Sequence, residues 1–158
     1  MCSGTAHGRL AEERKSWRKN HPYGFIAKPE TLADGSVNLM SWQCYVPGKA
    51  GTDWEGGHYP VTLLFGANYP SKPPECIFPQ GFLHPNVYDS GHVCLSIIGE
   101  DWKPAITVKQ ILVGIQDLLD TPNPDSAANH GCNRLFVKDF AEYKKRIQAQ
   151  AKQYPPVI

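Results

Sequence analysis

The sequence predicts an α+β domain, and three observations carry that expectation. The helical periodicities sit near the two ends of the chain. The strand patterns cluster between residues 23 and 79 and are joined closely enough for an antiparallel meander. A long irregular segment separates the strands from the later helices. Residues 6–20 read as a helix, with Ala6, Leu10 and Trp17 on one side. Arg14, Lys15, Arg18 and Lys19 fall on the flank beside that stripe. "HPYG" ends it. "YGFIAKP" and "NLMSWQCYVP" read as strands joined by a turn at Asp34-Gly35. "PGKAGTDWEGG" is a glycine-rich loop, "HYPVTLLF" a third strand and "ECIFP" a short fourth. Residues 79–106 are irregular, and a stretch of that length inside a compact domain is usually functional. Val108, Ile111, Leu112, Ile115, Leu118 and Leu119 then mark a buried helical face. Thr107 is its expected N-cap, and Pro122 and Pro124 stop it. A last helix is expected from about residue 137 to 153, with Val137, Phe140, Tyr143 and Ile147 on one side.

The chain has 158 residues, a length that favours one domain over residues 1–158 with a sizeable core. Sixteen Lys and Arg against fifteen Asp and Glu give a net charge of +1, which makes no global case for nucleic acid or membrane as a partner. There is no apolar run long enough to span a bilayer. The N-terminal stretch is polar, unlike a secretory leader, so an intracellular protein is expected.

The cysteines are Cys2, Cys44, Cys76, Cys94 and Cys132, an odd number with no two within five residues of each other. That spacing argues against a disulfide framework and against a CxxC-type zinc site. The default reading of each is a small buried hydrophobe.

Cys94 stands apart from the other four, because "HPNVYDSGHVCLSI" places it among two histidines and an asparagine. Three readings stay open from the residues alone. His84, His92 and Cys94 are three of the four ligands a structural zinc would need, but no fourth stands nearby. A cysteine hydrolase needs a base beside the thiol and a group that orients the base, and spacing cannot show adjacency. A buried cysteine in the apolar run "VCLSI" is the plainest of the three.

Several motifs together resemble the ubiquitin-conjugating enzyme family. "HPN" is followed eight residues after its asparagine by the cysteine of "CLSI", and "WKP" begins eight residues further on. "YPSKPPECIF" and "PNPDSAAN" fit as well, and the resemblance covers essentially the whole chain. Within the family, "RLAEERKSWRKNHPYGF", "GSVNLMSWQC", "PGKAGTDWEGG", "PAITVKQILVGIQDLLD" and "AEYKKRIQAQAKQY" are similar to the SUMO branch.

The resemblance implies a two-step acyl transfer through Cys94. The thiol takes SUMO from its activating enzyme as a thioester, and a substrate lysine then attacks, leaving an isopeptide bond. A free cysteine with the ordinary thiol pKa of about 8.5 is only a few per cent thiolate at pH 7, yet thiolates are strongly nucleophilic. A carrier has no need of a permanent base, which would also favour hydrolysis of the stored thioester. Asn86 matches the family asparagine that stabilises the oxyanion or orders the loop; its bland reading is a turn asparagine. Tyr88 matches a residue lining the lysine channel, and Ser126 a gate position. Arg14, Lys15, Arg18 and His21 match a docking surface for SUMO and the activating enzyme, where most charge runs are simply solvated. Glu75, Ser90, His92, Asp125 and Ala127 fall along the substrate cleft. His84 and Pro85 read as structural. The implied partners are SUMO, its activating enzyme, SUMO ligases and protein substrates, with no nucleic acid and no membrane. No cofactor is implied, since ATP is consumed upstream, and nuclear and cytoplasmic residence is expected.

The sequence also departs from the SUMO pattern. "CLSIIGEDWKP" has the shorter spacing of ubiquitin-type enzymes. Glu75 stands where SUMO enzymes place a lysine that attracts the acidic residue of a ψ-K-x-E substrate motif, and His92 replaces a small hydroxyl residue. "PDSAAN" and "HGCNRLF" fit that branch less well. The departures lie on the substrate side, so altered substrate selection is expected, with weak dependence on the acidic residue at the second position after the lysine.

Overall fold

The computed structural model describes residues 2–157, with side chains from residue 4. The first helix, α1, spans Cys2–Lys19, and its buried stripe is Ala6, Leu10, Glu13 and Trp17. Strands β1 (Ile26–Thr31), β2 (Val37–Pro47), β3 (His58–Leu64) and β4 (Glu75–Ile77) form one antiparallel sheet in the order β1-β2-β3-β4. The β1–β2 turn is held by Asp34, whose carboxylate accepts the Ser36 N–H at 2.9 Å, and Gly35 takes φ +87° there.

Strand alternation sorts the sheet. Trp42 faces Leu63, Cys44 faces Val61 and Val46 faces Tyr59 across β2 and β3, and all six are buried. Helix α2 (Val108–Asp120) packs its predicted apolar face against this sheet. Its start is a capping box: Thr107 accepts from the Gln110 N–H, and the Gln110 side chain accepts from the Thr107 N–H.

The C-terminal part differs from the single helix the sequence suggests. Two helices are present, α3 (His130–Lys138) and α4 (Phe140–Gln153). Asn129 caps α3 by accepting from the Cys132 N–H at 3.0 Å. Asp139 breaks the register: its N–H closes α3 on the Leu135 carbonyl, and its side chain caps α4 on the Glu142 N–H. The break swings Val137 and Phe140 outward, where they are 58% and 54% exposed, and leaves Tyr143, Ile147, Gln150 and Ala151 as the buried face of α4.

Glu13 is the charged member of the α1 stripe, and its carboxylate is fully used. It accepts from Arg9 Nε at 3.1 Å, from the Tyr69 hydroxyl and from the Val108 N–H at 2.6 Å, so it also caps the start of α2. Arg9 donates its other N–H groups to the carbonyls of Pro104 (2.7 Å) and Ile106 (2.9 Å). This bracket holds α1 to the end of the irregular segment, and Trp102 adds an Nε1–H bond to the Pro70 carbonyl at 2.9 Å.

Candidate active site

The stretch from 86 to 94 is a small hairpin. Val87 bridges Val93, the Tyr88 N–H donates to the His92 carbonyl at 3.0 Å, and the Cys94 N–H donates to the Asn86 carbonyl at 2.8 Å. Its turn closes with the Gly91 N–H on the Tyr88 carbonyl at 2.8 Å. The returning strand docks on the end of β4: His92 bridges Ile77, and the Val93 N–H donates to the Cys76 carbonyl at 3.0 Å. Gly91 is required at this junction. Its φ is +96°, and a Cβ would lie 1.9 Å from the Phe78 carbonyl oxygen. Val93 is buried, so the neighbouring His92 and Cys94 point to the other, solvent side.

Asn86 is fully buried and clips this hairpin to the segment after α2. Its amide donates to the carbonyls of Asn123 and Ser126, each at 2.8 Å, and its oxygen accepts from the Asn123 N–H at 2.8 Å. Both donors are therefore committed to backbone carbonyls, which is the arrangement of a loop-ordering residue. His84 supports it from below. Its Nδ1 accepts from the Asn86 N–H at 2.9 Å, and its Nε2–H donates to the Leu118 carbonyl at 2.8 Å, which fixes a neutral tautomer. Burial pushes the His84 pKa down to about 4. Pro85 contributes a carbonyl that accepts from the N–H groups of Ala128 (2.8 Å) and Asn129 (3.0 Å).

The four described cysteine side chains divide by exposure. Cys44, Cys76 and Cys132 are buried, and desolvation pushes all three thiols up, Cys132 to about 12. Cys94 alone among them is half-exposed. No base is hydrogen-bonded to it among the described residues. Among those residues, too, no group of three His, Cys, Asp or Glu side chains is placed to hold a metal ion.

A family model described as ubiquitin-conjugating enzyme matches residues 9–151. The chain belongs to the ubiquitin-conjugating enzyme family. Enzymes of this family are transferases that form a thioester through a cysteine, and the presented thiol is Cys94. The chain is 69% identical to the SUMO-conjugating enzyme SCE1 of Arabidopsis thaliana, over all of both chains. It is 56% identical to the SUMO-conjugating enzyme ubc9 of Dictyostelium discoideum, over 98% of each chain. It is 53% identical to the SUMO-conjugating enzyme UBC9 of Caenorhabditis elegans, over 96% of this chain and 93% of that one. The four-stranded meander flanked by helices is the α+β fold expected of the family.

The other predicted residues fall into separate groups. Tyr88 lies on the hairpin turn, 49% exposed, with Asp89 and Ser90 beside it. Asp125 and Ser126 lie across the clip on a short 3-10 turn, Pro124–Ser126, followed by half-buried Ala127. The Ser126 hydroxyl accepts from Asn123 Nδ2 at 3.3 Å. Arg14, Lys15 and Arg18 line one groove of about 270 Å³ with Ala11 and Leu39. His21 is separate from that groove: it stacks on Trp17 at 4.9 Å, and its Nδ1–H donates to the Trp17 carbonyl at 2.9 Å.

Glu75 and His92 are separate departures in the sequence, but the fold joins them. His92 Nε2 meets Glu75 Oε1 at 3.1 Å, and His92 Nδ1 meets the Ser90 hydroxyl at 2.9 Å. Asn123 is not marked out by any sequence pattern of chemistry, although its carbonyl and its N–H both meet Asn86 in the clip. Its "PNPD" context is a turn signal, with Asn123 Oδ1 accepting from the Asp125 N–H at 3.1 Å.

Proposed function

We propose that this chain is a SUMO-conjugating enzyme built as one catalytic domain, with Cys94 as the acyl carrier. The observation that carries the reading is a half-exposed thiol at the end of a hydrogen-bonded hairpin, with no base attached to it among the described residues, in a chain whose full-length relatives are SUMO-conjugating enzymes. In the first step the Cys94 thiolate attacks the thioester between SUMO and its activating enzyme, and the activating enzyme's thiolate leaves. In the second a substrate lysine attacks the carbonyl held on Cys94. The C–N bond forms, the C–S bond breaks, the lysine gives up its proton and the Cys94 thiol is regenerated.

The attacking amine must be neutral, whereas a free lysine of pKa about 10.4 is almost wholly protonated at pH 7. Desolvation in the cleft lowers that pKa. We assign Tyr88 to the wall of the lysine channel. Ser126 orients the amine by hydrogen bonding, and Asp125 supplies the adjacent carboxylate. Ser90 and Ala127 complete the cleft. Asn86 acts through loop order, since both of its N–H groups hold carbonyls. Arg14, Lys15 and Arg18, with His21 at the helix end, receive SUMO and the activating enzyme. Ligases are further partners, no cofactor is needed beyond the ATP used upstream, and residence is nuclear and cytoplasmic.

Charging the purified chain with each activating system tests this. A thiol-sensitive adduct with SUMO and not with ubiquitin is expected, and it is lost in Cys94→Ala. An adduct with ubiquitin alone assigns the chain to ubiquitin conjugation instead, and no adduct with either leaves a binding protein.

A further inference from the structure

His58 is a buried polar side chain, 5% exposed at the start of β3, that neither the α1 bracket nor the Asn86 clip uses. Three bonds converge on it. Its backbone N–H donates to the Tyr154 carbonyl at 2.7 Å. Its Nε2 lies 2.8 Å from the Gly24 carbonyl, and its Nδ1 lies 3.2 Å from the Val157 backbone nitrogen. A carbonyl accepts and a backbone N–H donates, so Nε2 carries the hydrogen and Nδ1 is bare. The neutral ring is a two-ended link between a residue 34 positions before it and one 99 positions after it. Tyr45 packs on the ring, with centroids 5.2 Å apart.

At one end of the link is the turn between α1 and β1. Gly24 takes φ +85° there, and a Cβ on it would lie 3.2 Å from Cγ of Pro47, the residue paired with His58 across β2 and β3. Within the turn the Phe25 N–H meets the Pro22 carbonyl at 3.3 Å. The tip is Tyr23, 99% exposed, and His21 precedes it, stacked on Trp17. A side chain thrown wholly into solvent adds no burial energy to the turn, so the pose of the tip rests on its backbone anchors. At the other end, residues 154–157 leave α4 and reach the start of β3. The Tyr154 ring seats them against Tyr59 and Phe82, at 5.9 and 6.0 Å.

From this we propose that His58 is a positioning residue for loading: it ties residues 154–157 to the turn that carries His21 and Tyr23, and so fixes the pose in which that turn meets the incoming modifier and its activating enzyme. The segment after α4 thereby supports a docking face that it does not itself form. This rests on the reading of α1 and His21 as that face.

The test loads the full chain with SUMO from purified activating enzyme, with the chain as the varied substrate. His58→Leu keeps the site filled and removes both side-chain bonds. KM for the chain should rise about 2–10-fold, the factor one hydrogen bond is typically worth. The kcat of loading and the single-turnover discharge of preloaded chain onto free lysine should not change. His58→Gln can still donate to the Gly24 carbonyl and should recover most of the loss. Val157→Pro, at a 48% exposed site, removes only the far donor without touching the core. It should shift the backbone amide resonances of residues 21–25 and raise KM less than His58→Leu does. Shifts confined to residues 58 and 154–157 overturn the proposal. So does an unchanged KM in His58→Leu, or a parallel fall in kcat and discharge, which marks general destabilisation. Arg14→Glu with Arg18→Glu separates the two readings. Normal loading of that pair sinks the docking face and this proposal with it, whereas slowed loading of the pair beside normal loading of His58→Leu sinks the role of His58 alone.

Discussion

The α1 groove and the Cys94 hairpin are built by opposite physical means. In the groove the atoms presented are side-chain charges at the surface, carried by a helix whose own stability comes from the neighbouring buried stripe of Ala6, Leu10 and Trp17. In the hairpin the half-exposed Cys94 thiol is placed by backbone: Asn86, His84 and Gly91 are buried and act almost entirely on carbonyl and amide groups. A charge can be reversed without disturbing the fold, whereas a buried clip cannot be altered without leaving polar atoms stranded. Substitutions in the two regions should therefore separate binding from geometry.

Asn86→Ala is expected to have the largest effect. It removes three hydrogen bonds and strands two carbonyls and one N–H, each at a cost of about 1–3 kcal/mol if left unpaired. Misplacing reacting groups by about 1 Å costs on the order of 10²-fold. Single-turnover assays should show isopeptide formation slowed by about that factor and thioester loading much less; equal losses in both steps would rule this out.

Gly91→Ala comes next. The forced φ and the contact with the Phe78 carbonyl should lower stability by about 2–3 kcal/mol in urea unfolding. An unchanged midpoint would mean that the turn tolerates a side chain after all.

His84 supplies a pH test of the same clip. Its folded pKa of about 4 lies below the unfolded value of 6.5, so the unfolded chain takes up the proton first as pH falls. The stabilisation is complete above pH 6.5 and is lost progressively toward pH 4. Between about pH 7 and about pH 5 the loss from this group is about 2 kcal/mol. The unfolding free energy of His84→Gln should fall less over that interval than that of the parent chain; parallel curves would contradict it.

On the other side of the comparison, Arg14→Glu with Arg18→Glu should leave the unfolding free energy within about 0.5 kcal/mol of the parent value. Loading should slow by about 10-fold, mainly through association rate, with a weaker salt dependence than the parent chain shows. A destabilised fold would show that these arginines belong to the core rather than to a docking face.

The two regions also differ in how well the sequence reveals them. The order of elements, the Thr107 cap and the α2 face are legible because each depends on neighbours a few residues away. Cys94 and Asn86 are legible only through several motifs at fixed spacing. The clip itself is not, because Asn86 meets residues 37 and 40 positions further on. Glu13 hides for the same reason: its partners Tyr69 and Val108 are 56 and 95 positions away. Glu75 and His92, 17 apart, are two unrelated departures until β4 brings them within 3.1 Å. The boundary between α3 and α4 is invisible to periodicity because Asp139 caps both helices while the apolar spacing runs on past it.

The bond from His84 to the Leu118 carbonyl turns α2 into a gauge. Thr107 sets the phase at one end, and His84, just before the Cys94 hairpin, meets it near the other, across a helix of 13 residues or about 20 Å. Adding or deleting one residue in between would rotate the Leu118 carbonyl by about 100° and take it out of the histidine's reach. The length of α2 thus sets where the hairpin that carries Cys94 is seated.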